Sequence, residues 1–75
     1  MVGRAGCHLC EVAERTVARV CAQAGATWRG ADIGELGAAE QRAWTDLVPV
    51  VLVDGEVVET LRVDADRLLD LLRRA

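Results

Sequence analysis

Cys7-His8-Leu9-Cys10 stands directly in front of a helical pattern, and this placement limits the folds open to the chain. From Cys10 onward Ala13, Val17, Val20, Cys21 and Ala24 recur at the spacing of one helix face, with Glu11, Glu14, Arg15, Arg19 and Gln23 filling the other side. Gly25 falls where a helix ends in a left-handed residue. A dithiol at a strand-to-helix turn needs a strand before it, and Met1-Val2-Gly3 is shorter than the usual strand of about five or six residues. The first strand is therefore expected to be truncated.

A thiol at the first turn of a helix lies beside unpaired backbone N–H groups and the positive end of the helix dipole, and both favour thiolate over thiol. Cys7 is the expected nucleophile. Cys10, one turn further in, is expected to be less exposed and close enough to resolve a mixed disulfide formed on Cys7. Arg4 and His8 add positive charge near Cys7. His8, with an imidazole that titrates near neutrality, would make the potential pH-sensitive; the alternative is an exposed spacer. Cys21, on the apolar stripe, reads as a small core residue. Three cysteines are too few and too uneven for a disulfide framework. A structural zinc site needs four ligands, and beyond the pair only His8 and Cys21 are candidates, both poorly placed, so no metal is expected.

Further along, Ala26 to Ile33 carries Thr27, Trp28 and Ile33 and is read as a strand. A second helix is expected from about Leu36 or Ala38 to Asp46, with Leu36, Ala39, Ala43, Trp44 and Leu47 on one side and Trp44 as a core anchor. Val50-Val51-Leu52-Val53 is an apolar run of the kind buried on both faces of a sheet. Asp54-Gly55 signals a tight hairpin, and Glu56 to Leu61 returns as an antiparallel strand. Asp64 or Asp66 caps a last helix whose Leu68, Leu69, Leu71 and Leu72 cover one face, while Arg73 and Arg74 suit its negative end. The order is strand stub, helix, strand, helix, strand, strand, helix, in one domain over residues 1–75.

Pro49 is the one proline in the chain, and it opens the apolar strand, where a proline removes a ladder donor. It is a candidate cis peptide that would leave the Val48 backbone free to pair with an incoming extended peptide. The plainer alternative is a proline that ends the second helix.

Composition excludes several classes. No apolar run approaches the roughly 18–20 residues that cross a bilayer, and no charged-then-apolar leader is visible, so a cytoplasmic protein is expected. The net charge is −3, and Arg4, Arg15, Arg29, Arg42, Arg62 and Arg67 are scattered among acidic residues, which leaves no basic stripe for nucleic acid.

Taken together, Gly3-Arg4-Ala5-Gly6-Cys7-His8-Leu9-Cys10 and Val48-Pro49-Val50-Val51-Leu52-Val53-Asp54-Gly55 resemble glutaredoxins of the thioredoxin-fold superfamily. The resemblance is nearest to the short glutaredoxin-like proteins of bacteria. It implies an α/β, thioredoxin-like three-layer fold: a mixed sheet of three to four strands with helices on both faces. It also implies that Cys7 attacks, that Cys10 resolves, and that Pro49 is cis with Val48 offering its backbone to substrate. Arg4, His8, Leu9 and Asp64 would line the substrate site. The implied activity is reduction of protein disulfides or glutathione mixed disulfides by a monomeric dithiol oxidoreductase. It would hold no resident cofactor, take glutathione as co-substrate, and be reduced by glutathione or a thioredoxin-reductase-type enzyme. His8-Leu9 departs from the family's Pro-Tyr, and Leu61-Arg62-Val63-Asp64-Ala65-Asp66 lacks the glycines that precede the last helix. Two other readings stay open from the residues: a redox-inert or redox-sensing binding module, and a zinc or iron–sulfur protein.

Overall fold

The apolar run forms the spine of the molecule. In the computed structural model, which describes residues 1–74, β3 (Val50–Val53) lies between β1 (Val2–Gly3) and β4 (Glu56–Thr60), and β2 (Ala31–Asp32) adds outside β1, giving the sheet order β2-β1-β3-β4. β1 runs parallel to β2 and antiparallel to β3, and β3 runs antiparallel to β4. Three helices, α1 (His8–Ala24), α2 (Ala38–Trp44) and α3 (Ala65–Arg74), complete an α/β thioredoxin-like fold.

Alternation along β3 separates the two faces, because successive side chains of a strand point to opposite sides. Val50 joins Val2, Cys10, Ile33 and Val48, against which Leu52, Leu36 and Trp44 of α2 pack. Val51 turns the other way, to Val17, Val20 and Cys21 of α1 and Leu68 of α3, with Val53, Leu69 and Leu72 around them. Cys21 is buried in this second cluster as a core residue, and Trp44 is half-buried against the first. The sheet is thus covered by α1 and α3 on one side and by α2 on the other.

Local chemistry sets the boundaries. Gly25, at φ 69°, ends α1 in the left-handed region that L side chains avoid. Asp54 and Gly55, at φ 51° and 84°, make the tight turn between β3 and β4 that suits the strand twist. Of the two candidate caps of α3 it is Asp64 that serves, its Oδ1 accepting the Arg67 N–H at 3.1 Å, while Asp66 lies within the first turn. Arg67 also ties α3 to β4: its Nη1 lies 3.3 Å from the largely buried Glu59 carboxylate and donates to the Val58 carbonyl at 2.7 Å.

The second strand is much shorter than the sequence suggests. Only Ala31 and Asp32 pair, opposite Val2 and Gly3, and Ile33 passes into a single turn of 3-10 helix (Ile33–Glu35). The cause is the neighbour, since β2 is an edge whose one partner is the two-residue β1. Before the ladder, Ala26–Gly30 is irregular, and the Met1 ammonium donates to the Arg29 carbonyl at 2.8 Å. Asp32 then closes the ladder by capping the 3-10 turn, with Oδ1 accepting from Gly34 N–H at 2.8 Å.

Candidate active site

Cys7 is the N-cap of α1, in extended conformation at φ −91° and ψ 113°, and its Sγ accepts the Cys10 N–H at 3.2 Å. The cap position normally belongs to Ser, Thr, Asp or Asn, whose oxygens take the orphan donors of the first turn. Here a sulfur takes that place, and the stabilisation goes to its anionic form. The Cys7 thiol is held below its ordinary value, foremost by its hydrogen bond with the Cys10 thiol. Partial burial opposes this, and the backbone N–H groups of Cys10 and Leu9 and the charge of Arg4 add to it. Cys10 is pushed the opposite way by burial first and then by the same bond to Cys7. The pair is therefore asymmetric, with a half-exposed thiol poised to ionise and a buried neighbour that keeps its proton.

Two backbone features hold this geometry. The Cys7 N–H donates to the Arg4 carbonyl at 3.2 Å, closing a turn over Ala5 and Gly6. Gly3 passes so close to α1 that a Cβ there would stand 3.3 Å from Cys10 Cβ and 3.5 Å from its Sγ. Any larger residue would press on the Cys10 thiol.

The second part of the site arrives from the far end of the sequence. The Val48–Pro49 peptide bond is cis, both residues are buried, and Cys7 packs against the cluster that contains Val48. The loop is pinned by Leu61, whose N–H is shared between the Leu47 carbonyl at 3.0 Å and the Pro49 carbonyl at 2.9 Å.

A family described as the glutaredoxin-like domain (DUF836) matches residues 1–73. The chain belongs to this family. No curated protein and no solved structure gives a significant match. Family membership makes this a thioredoxin-fold, redox-related protein that carries Cys7 and Cys10.

Within this glutaredoxin-like domain the other expected site residues divide into two groups. His8 and Leu9 are exposed between the two cysteines, at the start of α1. Arg4 and Asp64, both exposed, are engaged in bonds within the chain. Arg4 Nη2 donates to the Thr45 carbonyl at 2.6 Å and to Thr45 Oγ1 at 2.7 Å, so its charge serves the C-terminal end of α2, and of the groups acting on the Cys7 thiol it has the smallest effect. Asp64 is spent on the α3 cap.

Sequence reasoning missed three contributors. Thr45 receives Arg4, and its signal was only that a hydroxyl residue closes α2. Asp32 Oδ2 accepts the Ala5 N–H at 3.3 Å, which fastens the loop before Cys7 to β2. Leu61 stands at φ 67°, and nothing in a leucine announces that conformation.

Proposed function

We propose that this protein is a cytoplasmic thiol–disulfide oxidoreductase that reduces protein disulfides or glutathione mixed disulfides through Cys7 and Cys10. The observation that carries the reading is the opposed displacement of the two thiols, Cys7 downward and Cys10 upward, at a helix N-terminus. The Cys7 thiolate attacks one sulfur of the substrate disulfide. A bond forms between Cys7 and that sulfur, the substrate S–S bond breaks, and the departing thiolate takes up a proton. Cys10 then gives its proton to the second leaving thiolate as it attacks Cys7 Sγ, which releases the reduced substrate and leaves a Cys7–Cys10 disulfide. Two electrons pass to the substrate, and glutathione or a thioredoxin-reductase-type enzyme returns them.

Val48 supports the reading as a backbone partner for substrate. It lies beside Cys7's cluster and takes part in none of the turn and loop backbone hydrogen bonds among the described residues. An extended peptide laid along it would be held by main-chain bonds while its cysteine sulfur meets Cys7.

The test is a redox titration in glutathione buffers with free thiols counted by alkylation and mass spectrometry, and with buried Cys21 as internal control. A two-electron transition confined to Cys7 and Cys10 is expected. Cys7→Ser should abolish exchange, and Cys10→Ser should accumulate mixed disulfides on Cys7. Equal residual activity in both variants, or thiols that stay free throughout the range, would sink the assignment.

A further inference from the structure

Leu61 pairs an uncommon backbone with an exposed side chain. Its φ of 67° lies in the left-handed region, which costs a branched L residue energy that glycine does not pay. Strain of this kind persists when the surroundings impose it, and here the shared N–H bond to Leu47 and Pro49 does so. Burial does not repay it, because Leu61 remains 44% exposed. An arrangement that keeps leucine where glycine would be easier, and then leaves the leucine facing solvent, puts the side chain itself to use.

That side chain forms one wall of a groove. Leu9, Val12 and Ala13 of α1 line one side, and Leu61 and Val63 line the other. Leu9 and Val12 are themselves 42% and 40% exposed. The groove adjoins the dithiol through its walls: Leu9 lies between the two cysteines, and the Leu61 N–H donates to the carbonyl of Pro49. Its volume of about 210 Å³ falls below the roughly 300–1,000 Å³ of small-molecule sites and suits one side chain of a larger partner. Among the described residues lining it, Arg62 alone is charged, so a carboxylate beside an apolar group meets a cation there.

We propose that Leu61 is the specificity-determining residue of the exchange reaction, seating an apolar side chain that adjoins the disulfide cysteine of an extended polypeptide with an acidic residue beyond it. The inference rests on the oxidoreductase reading of Cys7 and narrows it to polypeptide disulfides. Glutathione offers carboxylates but no apolar side chain for this groove.

The experiment uses the full chain, reduced beforehand, in single turnover. The probes are two short peptides containing Leu-Cys-Glu or Ser-Cys-Glu, each supplied as its symmetrical disulfide. One disulfide is consumed for each Cys7–Cys10 bond formed, and two peptide thiols are released and counted. The wild-type chain should prefer the leucine peptide by about tenfold, the size expected when a modest apolar contact is made in the transition state. Leu61→Gly should bring that ratio close to one while Tm stays equal or rises, because glycine accepts the backbone. Leu61→Ala should also bring the ratio close to one but melt below Leu61→Gly, since it keeps the strain. A ratio retained in both variants, or a ratio that follows Tm instead of the side chain, overturns the assignment of Leu61. Equal wild-type rates on the two peptides overturn it as well and leave the oxidoreductase reading standing. No wild-type exchange with either peptide overturns both.

Discussion

The two halves of the sheet are built to different standards. β3 and β4 pair from Val50–Thr60 to Val53–Glu56 and close on a two-residue turn, and α3 is fastened to β4 through Arg67. β1, by contrast, meets β3 at Val2–Val50 and meets β2 through Val2–Ala31 and Gly3–Asp32. The dithiol stands on the thin half and Val48–Pro49 on the thick one. Side chains supply what the short ladder lacks: Arg4 reaches across to Thr45, and Asp32 holds the Ala5 N–H. Regions with few ladder bonds open at lower free energy than a packed hairpin, so local opening is expected to come more easily at β1 and β2 than at β3 and β4.

The largest effect expected from this contrast is on stability. Leu68 is 1% exposed and joins α3 to α1 and β3. Leu68→Ala should cost about 3 kcal/mol, which in a domain of this size lowers Tm by more than about 10 °C. Amide exchange should then speed up throughout the sheet. Val2→Ala, on the thin half, should cost about 1–2 kcal/mol and speed exchange mainly at Ala31 and Cys7, whose N–H groups bond to Met1 and Arg4. If Val2→Ala loosens the β3–β4 amides as much as Leu68→Ala does, the two halves are one cooperative unit and the contrast is wrong.

A smaller change sharpens the same contrast at the chemistry. Gly3→Ala sets a methyl 3.3 Å from Cys10 Cβ, on a helix that cannot easily retreat. The overpacking should cost about 1–2 kcal/mol and shift Cys10 relative to Cys7. In the proposed reaction, attack on the substrate disulfide needs Cys7 alone, whereas resolution needs both sulfurs, so mixed disulfides should persist longer while the first step keeps its rate. Quenched-flow alkylation followed by mass spectrometry separates the steps, and equal slowing of both would mean that Gly3 serves the fold and not the dithiol geometry.

What the sequence disclosed follows the same division. Cys7 at a helix start, Gly25 at its end, the Asp54-Gly55 turn and the single Pro49 are local signals, because each depends on a few neighbouring residues and a known backbone preference. The sequence predicts a longer β2 because Thr27, Trp28 and Ile33 favour a strand, yet the length of an edge strand is set by its partner, and β1 supplies two residues. Arg4, which the resemblance places at the substrate site, donates to Thr45, which lies 41 residues away along the chain and is brought near only by the fold. The sequence pattern places Leu61 at the end of a strand, whereas the strand stops at Thr60 and the left-handed backbone of Leu61 depends on the carbonyls of Leu47 and Pro49, which no local pattern reveals.

The subtlest expected effect is a pH dependence of stability that tells the two cysteines apart. In the reduced protein Cys7 ionises below the ordinary thiol value of 9.0, so between its folded pKa and 9.0 the unfolded chain binds more protons and stability rises with pH. That contribution is complete above 9.0 and disappears as pH falls through the folded pKa of Cys7. Cys10 and Cys21 are raised, chiefly by burial, so their contribution is complete below 9.0 and is lost as pH climbs through their folded values. The stability of the reduced chain, followed by urea unfolding in excess phosphine from about pH 6 to 10, should therefore climb toward 9.0 and then turn down. Cys7→Ser should remove the Cys7 part of the climb, leaving the part that belongs to the Met1 ammonium, which burial foremost holds below its ordinary value of 8.0, and should keep the descent. Oxidation to the Cys7–Cys10 disulfide should leave the Met1 climb and the part of the descent that belongs to Cys21. Parallel profiles for the wild-type chain and Cys7→Ser would mean that the thin half of the molecule does not hold Cys7 as an activated thiol, and the asymmetry of the pair would have to be sought in the presence of substrate.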